Sequence, residues 1–176
     1  MQLFLIRGLV ALAWAAAFSA ASDSLTLGAG VLLVLYPGID VVASLLDART
    51  QPAGSPARGL LRFEVVVSSA AAVALAIAAT GTFADVLAVF GAWASVTGVA
   101  QIVVAVQRRR ELGLQLPFLI SGGLSALVGL VYIGQALGDD PKLDILSVYA
   151  AGGGVWFVLQ AAVLAWRSRR SAAQAA

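Results

Sequence analysis

Leu87 to Arg109 reads LAVFGAWASVTGVAQIVVAVQRR, an uncharged stretch that ends on a pair of arginines. Before that basic end its only hydroxyl or amide side chains are Ser95, Thr97, Gln101 and Gln107. A surface helix would carry polar residues along a whole face, and this one does not. About 20 apolar residues in a helix cross the hydrocarbon core of a bilayer, so the stretch reads as a membrane span that meets water at its arginines.

The same pattern occurs twice more. Leu27 to Arg49 reads LGAGVLLVLYPGIDVVASLLDAR, and Leu146 to Ser168 reads LSVYAAGGGVWFVLQAAVLAWRS. The three align without a gap and each reaches arginine at the same end. Gly38 and Gly98 share a column, as do Gln101 and Gln160. Each is preceded by a second apolar stretch: LIRGLVALAWAAAF, RFEVVVSSAAAVAL and LISGGLSALVGLVY. These place Arg7, Glu64 and Ser121 in one column, with Gly8, Val65 and Gly122 in the next. Self-similarity at a fixed period of this length marks a repeated supersecondary unit.

Composition agrees. Of 176 residues, 61% are hydrophobic and only 11% charged, against about 25% charged in soluble proteins; mean hydropathy is +0.95. That excludes a soluble globule, a disordered chain and a disulfide scaffold. Cysteine and histidine are both absent, which removes Cys or His metal sites, thiol chemistry, histidine triads and histidine pH sensing.

Six apolar runs are expected as transmembrane helices: 2–20, 25–46, 60–80, 83–106, 116–137 and 145–166. They leave no room for a separate soluble domain, so residues 1–176 read as one all-α polytopic membrane domain. The connections alternate. The segment 21–24 is short and carries Asp23; Gly81 and Thr82 lead to Asp85; 138–144 carries Asp139, Asp140 and Asp144 with Lys142. The others are basic: 47–59 with Arg49 and Arg58, 107–115 with Arg108, Arg109, Arg110 and Glu111, and a tail with Arg167, Arg169 and Arg170. Of the eleven basic residues only Lys142 lies on the acidic side. The positive-inside rule then places both termini and the basic loops in the cytoplasm. The pI near 9.5 is thus a topology signal with contact to anionic headgroups, and not a nucleic-acid footprint. The first run resembles a signal peptide, ending in small residues, but Arg7 sits inside its apolar stretch and no basic residue precedes it. It is expected to stay as a helix.

The unit is therefore a helical hairpin repeated three times in one orientation, at about 2–46, 60–106 and 116–166. Parallel repeats imply a pseudo-threefold axis along the membrane normal, unlike the in-plane axis of inverted-repeat transporters.

The hairpin unit, Arg7-Gly8, Ser121-Gly122 and the run FGAWASVTG from Phe90 to Gly98 resemble the HdeD acid-resistance membrane proteins. The resemblance covers nearly the whole chain. Glu64-Val65 departs from the E-G typical of that family, and Pro37 precedes Gly38. The resemblance implies a bacterial inner-membrane protein linked to acid or envelope stress, and supplies no reaction. A single lysine among eleven basic residues fits a GC-rich bacterial genome.

A charge at membrane depth costs about 2.5 to 3.5 kcal/mol on insertion scales. Arg7, Asp40 and Glu64 are the residues that incur it. With Gln101, Ser121 and Gln160 they are expected at one level, about 6 to 10 Å below the cytoplasmic helix ends. This forms an intramembrane polar layer in which Arg7 pairs with Glu64, and Asp40 or the glutamines satisfy its remaining donors. The layer serves to fix helix register, or to sense protons or pass ions through Glu64 or Asp40. Arg62 is expected to snorkel to headgroups. Pro37 is expected to kink its helix. Gly152 to Gly154 lie mid-span, so they form no nucleotide loop, and Trp14, Trp93 and Trp156 read as packing residues. No catalytic, cofactor or metal residues are assigned, since the chain has no histidine, cysteine or Walker sequence. The function expected is non-enzymatic, within the lipid bilayer and with a second copy or a membrane-protein partner. A small transporter or channel is the alternative.

Overall fold

The computed structural model describes residues 2–107, 109 and 116–174. Arg108, Arg110 and Glu111, which contribute to the orientation signal, lie outside the described residues. All regular structure among those described is helical: α1 (Gln2–Ser19), α2 (Leu27–Thr50), α3 (Pro56–Ala78), α4 (Phe83–Gln107), α5 (Leu116–Ala136) and α6 (Asp144–Gln174). Five of them, α2 to α6, are long and apolar enough to cross a membrane. The apolar part of α1, Phe4–Ser19, falls about one turn short of the roughly 20 residues a span needs.

Local chemistry sets the helix ends. Thr26 caps α2, its hydroxyl accepting from the Ala29 N–H at 3.2 Å. Ser55 caps α3 in the same way, accepting from the Arg58 N–H at 3.2 Å, and Pro56 occupies the first helical turn, where its missing N–H is no loss. The turn before it needs Gly54 at φ 76°. These residues read as turn formers, and they also start α3 before Leu60. Thr82 and Asp85 cap α4 reciprocally: the Asp85 carboxylate accepts from the Thr82 N–H at 2.8 Å, and the Asp85 N–H donates to the Thr82 hydroxyl at 3.2 Å. At the other end of the chain α6 runs past Trp166 to Gln174, through arginine and alanine, both strong helix formers. Helix α2 continues through the buried Pro37 to Thr50.

The helices group by contact into two compact units, Met1–Ser22 with Asp144–Ala176, and Asp23–Leu143. The first holds α1 packed on α6. The second holds α2 to α5, packed most extensively between α4 and α5 and between α2 and α3, and more lightly between α3 and α4. The closest pairs in the second unit therefore join consecutive repeats rather than the two helices of one repeat.

Glycine explains the closest approach. A Cβ added at Gly98 of α4 would lie 2.5 Å from the Gly122 carbonyl oxygen and 2.5 Å from the Ala126 nitrogen of α5. One added at Gly91 would lie 2.5 Å from the Gly129 carbonyl oxygen. The backbones touch because no side chain intervenes, and serines fasten them: Ser125 Oγ donates to the Ala94 carbonyl at 3.0 Å and Ser95 Oγ to the Ala126 carbonyl at 3.3 Å. In the first unit Gly8 and Gly154 play this part; a Cβ on Gly8 would sit 2.8 Å from the Gly154 carbonyl oxygen.

The core of the second unit is aromatic. Phe90 is fully buried, with the rings of Trp93, Tyr36 and Tyr132 at 5.2, 5.8 and 6.1 Å from it. Edge-to-face and stacked geometries of this kind add to plain burial.

Candidate functional site

Asp40 and Ser44 lie four residues apart on α2, and Glu64 and Ser68 lie four apart on α3. Residues at that spacing share a helix face. The two helices follow one another through a short loop and run antiparallel, so each acid meets the other helix's serine. Ser68 Oγ donates to Asp40 Oδ2 at 2.8 Å, and Ser44 Oγ donates to Glu64 Oε2 at 3.3 Å. Both serines are fully buried and Glu64 is 7% exposed; Asp40 is half-buried.

A third helix joins this arrangement. Trp93 of α4 donates its indole N–H to Ser68 Oγ at 2.9 Å. The Ser68 hydroxyl has one hydrogen and two lone pairs. It accepts from Trp93 while donating to Asp40, so one hydroxyl couples α2, α3 and α4. Thr97, one turn on from Trp93, returns its hydroxyl to the Trp93 carbonyl at 2.9 Å.

Within each unit the residues expected in the polar layer make the following contacts. Asp40 and Glu64 come together through the serines. Gln101 and Ser121 form a second contact, Ser121 Oγ donating to Gln101 Oε1 at 3.2 Å between α4 and α5. Arg7 and Gln160 belong to the other unit, both half-buried. There the Arg7 guanidinium carbon stands 5.4 Å from the centroid of the Phe157 ring, a cation–π distance. Arg7, Gln101 and Ser121 stand five or six residues from their helix ends, within the 6 to 10 Å expected, and Glu64 and Asp40 stand farther in. Glu64 is eight residues from Pro56 and Asp40 ten residues from Thr50, about 12 and 15 Å along their helices, because α2 and α3 both extend beyond their apolar runs.

Register differs between the repeats as well. Ser121 meets Gln101, so the gapless alignment would set Glu64 against Val41. Glu64 instead reaches Ser44, three residues nearer the arginine-bearing end of α2. Val65 stands where α5 has Gly122, and a Cβ added at Gly38, the counterpart of Gly98, would meet nothing within 4 Å.

Ser44, Ser68 and Trp93 were not among the expected site residues. The acid-x-x-x-serine spacing, present once in α2 and again in α3, was the signal for the serines. Trp93 packs as expected, and its N–H has a partner that spacing could not reveal.

Removing the Ser68 hydroxyl leaves the Trp93 N–H and Asp40 each short of one bond. Interhelical bonds of this kind average about 0.6 kcal/mol, and reach about 1.7. Ser68→Ala is expected to destabilise by about 1 kcal/mol. A double-mutant cycle with Asp40→Ala, which removes the acceptor, read by denaturation in mixed micelles, should give a coupling of similar size; additivity would show that the contact contributes nothing.

Helices of this length and apolarity define an all-helical, multi-pass membrane protein. No family model matches the chain, and neither a curated protein nor a solved structure matches it.

Proposed function

We propose that this is a non-enzymatic integral protein of the bacterial inner membrane, of the HdeD type, serving acid or envelope stress resistance. Three tandem hairpins surround a pseudo-threefold axis, and both termini and the arginine-rich ends face the cytoplasm and its anionic headgroups. The resemblance in sequence supports the family. The asymmetry of basic residues supports the orientation. The observation that carries the stress reading is the pair of acid–serine contacts between α2 and α3. In a chain without histidine, carboxylates are the side chains able to take up a proton as the medium turns acid.

A strain lacking the protein, complemented with wild type, Glu64→Gln or Asp40→Asn at equal protein level, tests this. Both variants are expected to survive acid challenge less well than wild type. Full survival with both would remove the basis of the reading. Orientation is separately measurable, because the chain has no cysteine. Single cysteines at Thr50 and Gly138 should label from opposite sides of the membrane.

The second reading is a small transporter or channel with Asp40 and Glu64 as its site or gate. The hydrogen bonds from Trp93 through Ser68 to Asp40 favour it, since they link three helices. Against it stands the ring cluster of Tyr36, Phe90, Trp93 and Tyr132 with buried Leu33 and Leu75, which fills the unit beyond the acids with apolar groups. Proton or cation flux in proteoliposomes, abolished by Glu64→Gln, would make this the better reading.

A further inference from the structure

Helices α4 and α5 are fastened at several levels. Ser95, Ser121 and Ser125 bond across them, and their glycine backbones touch. Two acid–serine bonds join α2 and α3. Helices α3 and α4 are the more lightly packed pair. Among the described residues, the side-chain hydrogen bond between them is the one from Trp93 to Ser68. Ser68 is twelve residues from Pro56 and ten from Ala78, so this bond sits near the middle of α3. On one side of it, residues 79–82 tie the two helices together in a short turn. On the other, toward the arginine-bearing ends, opens a shallow apolar groove of about 350 Å³, lined by Phe63 of α3 and by Val96, Val99 and Ala100 of α4.

We propose that the seam between α3 and α4 is a joint: α2 with α3 and α4 with α5 are its two blocks, the turn at 79–82 is its hinge, and the chain Trp93–Ser68–Asp40 is its latch. Opening widens the groove at the arginine-bearing ends. The latch runs in one direction. An indole N–H can only donate, so Ser68 accepts from Trp93 and gives its own hydrogen to Asp40. Each bond polarises the next, and a charged acceptor at the end of the chain strengthens both. Loss of the Asp40 charge is therefore felt at Trp93, and loosens α4. Glu64, one turn from Ser68, is the other acid at this level. Asp47 and Arg49 of α2 and Arg58 and Arg62 of α3 lie nearer the arginine-bearing ends, and α4 carries Asp85 alone, near its opposite end. That acid in the medium removes the charge rests on the stress reading above; the latch itself does not.

Double electron–electron resonance on the full chain in lipid nanodiscs tests this, since no native cysteine interferes with labelling. Spin labels at Gly59→Cys and Val103→Cys report the seam; an added Cβ at Gly59 meets nothing within 4 Å, and Val103 is exposed. Labels at Val103→Cys and Ile120→Cys report the pair α4 and α5. Trp93→Phe keeps a ring and removes the N–H. It should raise the ratio of long to short seam distances about threefold, which is one average interhelical bond of about 0.6 kcal/mol. Asp40→Asn, a neutral acceptor, should raise it by less. Neither should change the distance between α4 and α5. Ser125→Ala, which removes a hydrogen bond within that pair, should leave the seam as in wild type. Acidification should open the seam in wild type and add little in Asp40→Asn. An unchanged seam in Trp93→Phe or in Asp40→Asn would overturn the proposal. So would an equal change in the labels on α4 and α5, an equal opening in Ser125→Ala, or an acid response undiminished in Asp40→Asn. Opening in both variants, with no response of wild type to acid, would support the latch and overturn the acid reading.

Discussion

Gly98→Ala is expected to destabilise the packing of α4 on α5 by about 3 kcal/mol, the upper range for overpacking. The new methyl would lie 2.5 Å from both the Gly122 carbonyl oxygen and the Ala126 nitrogen, with the Ala126 Cα at 3.1 Å. All three are backbone atoms, so no side chain can rotate away, and two helices must separate along the contact. Separation also stretches the bond from Ser125 to the Ala94 carbonyl. Gly123→Ala is the matched control. A Cβ there meets nothing within 4 Å, and alanine is favoured over glycine in a helix by up to about 1 kcal/mol. Denaturation with dodecyl sulfate in mixed micelles, followed by helix circular dichroism, should rank Gly123→Ala at or above wild type and Gly98→Ala far below. Equal stability of the two variants would mean that the backbones do not meet at Gly98.

Phe90→Ala should be the next largest, at about 2 kcal/mol. Phe90 is completely buried and its ring neighbours those of Tyr36, Trp93 and Tyr132, on α2, α4 and α5. In a soluble core the same truncation costs about 3 to 5 kcal/mol. Within a bilayer the loss is smaller, because a separated helix exposes the ring to lipid, which is as apolar as the core. What remains is the cavity and the lost ring contacts. Trp93 has its indole between this cluster and Ser68. Its fluorescence should therefore change in Phe90→Ala and much less in Phe63→Ala, at the open groove. An unchanged spectrum in Phe90→Ala would show that the ring does not hold the indole in place.

Both predictions concern features that the sequence displayed only in part. Gly98 and Gly122 are visible in the aligned repeats as small residues, but alignment placed them in separate columns of separate helices. That they touch depends on which helices pack together, and spacing along the chain does not contain this. The extensive pairs turned out to be α2 with α3, α4 with α5 and, in the other unit, α1 with α6. The polar residues followed the same course. Their place along the helices was readable from position in the apolar runs, to within the extra turns that Ser55 and Pro56 add to α3. Their partners were not readable. Arg7 was the donor that the sequence offered to Glu64 and Asp40; the bonds from two serines one turn away, on the facing helix, were not read from it.

The sequence by itself determined the solvent. With so few charges, and most of its arginines placed where apolar runs end, the chain can satisfy its backbone in a bilayer only as helices. Helix positions and short turns follow from that constraint, which acts on each segment locally. Tertiary structure alone decided register and partnership. In lipid no hydrophobic force singles out one face of an apolar helix, so selection falls to close contact and hydrogen bonding. Gly98 against Gly122 brings α5 onto α4, while α2 and α3 are aligned by Ser44 with Glu64 and Ser68 with Asp40.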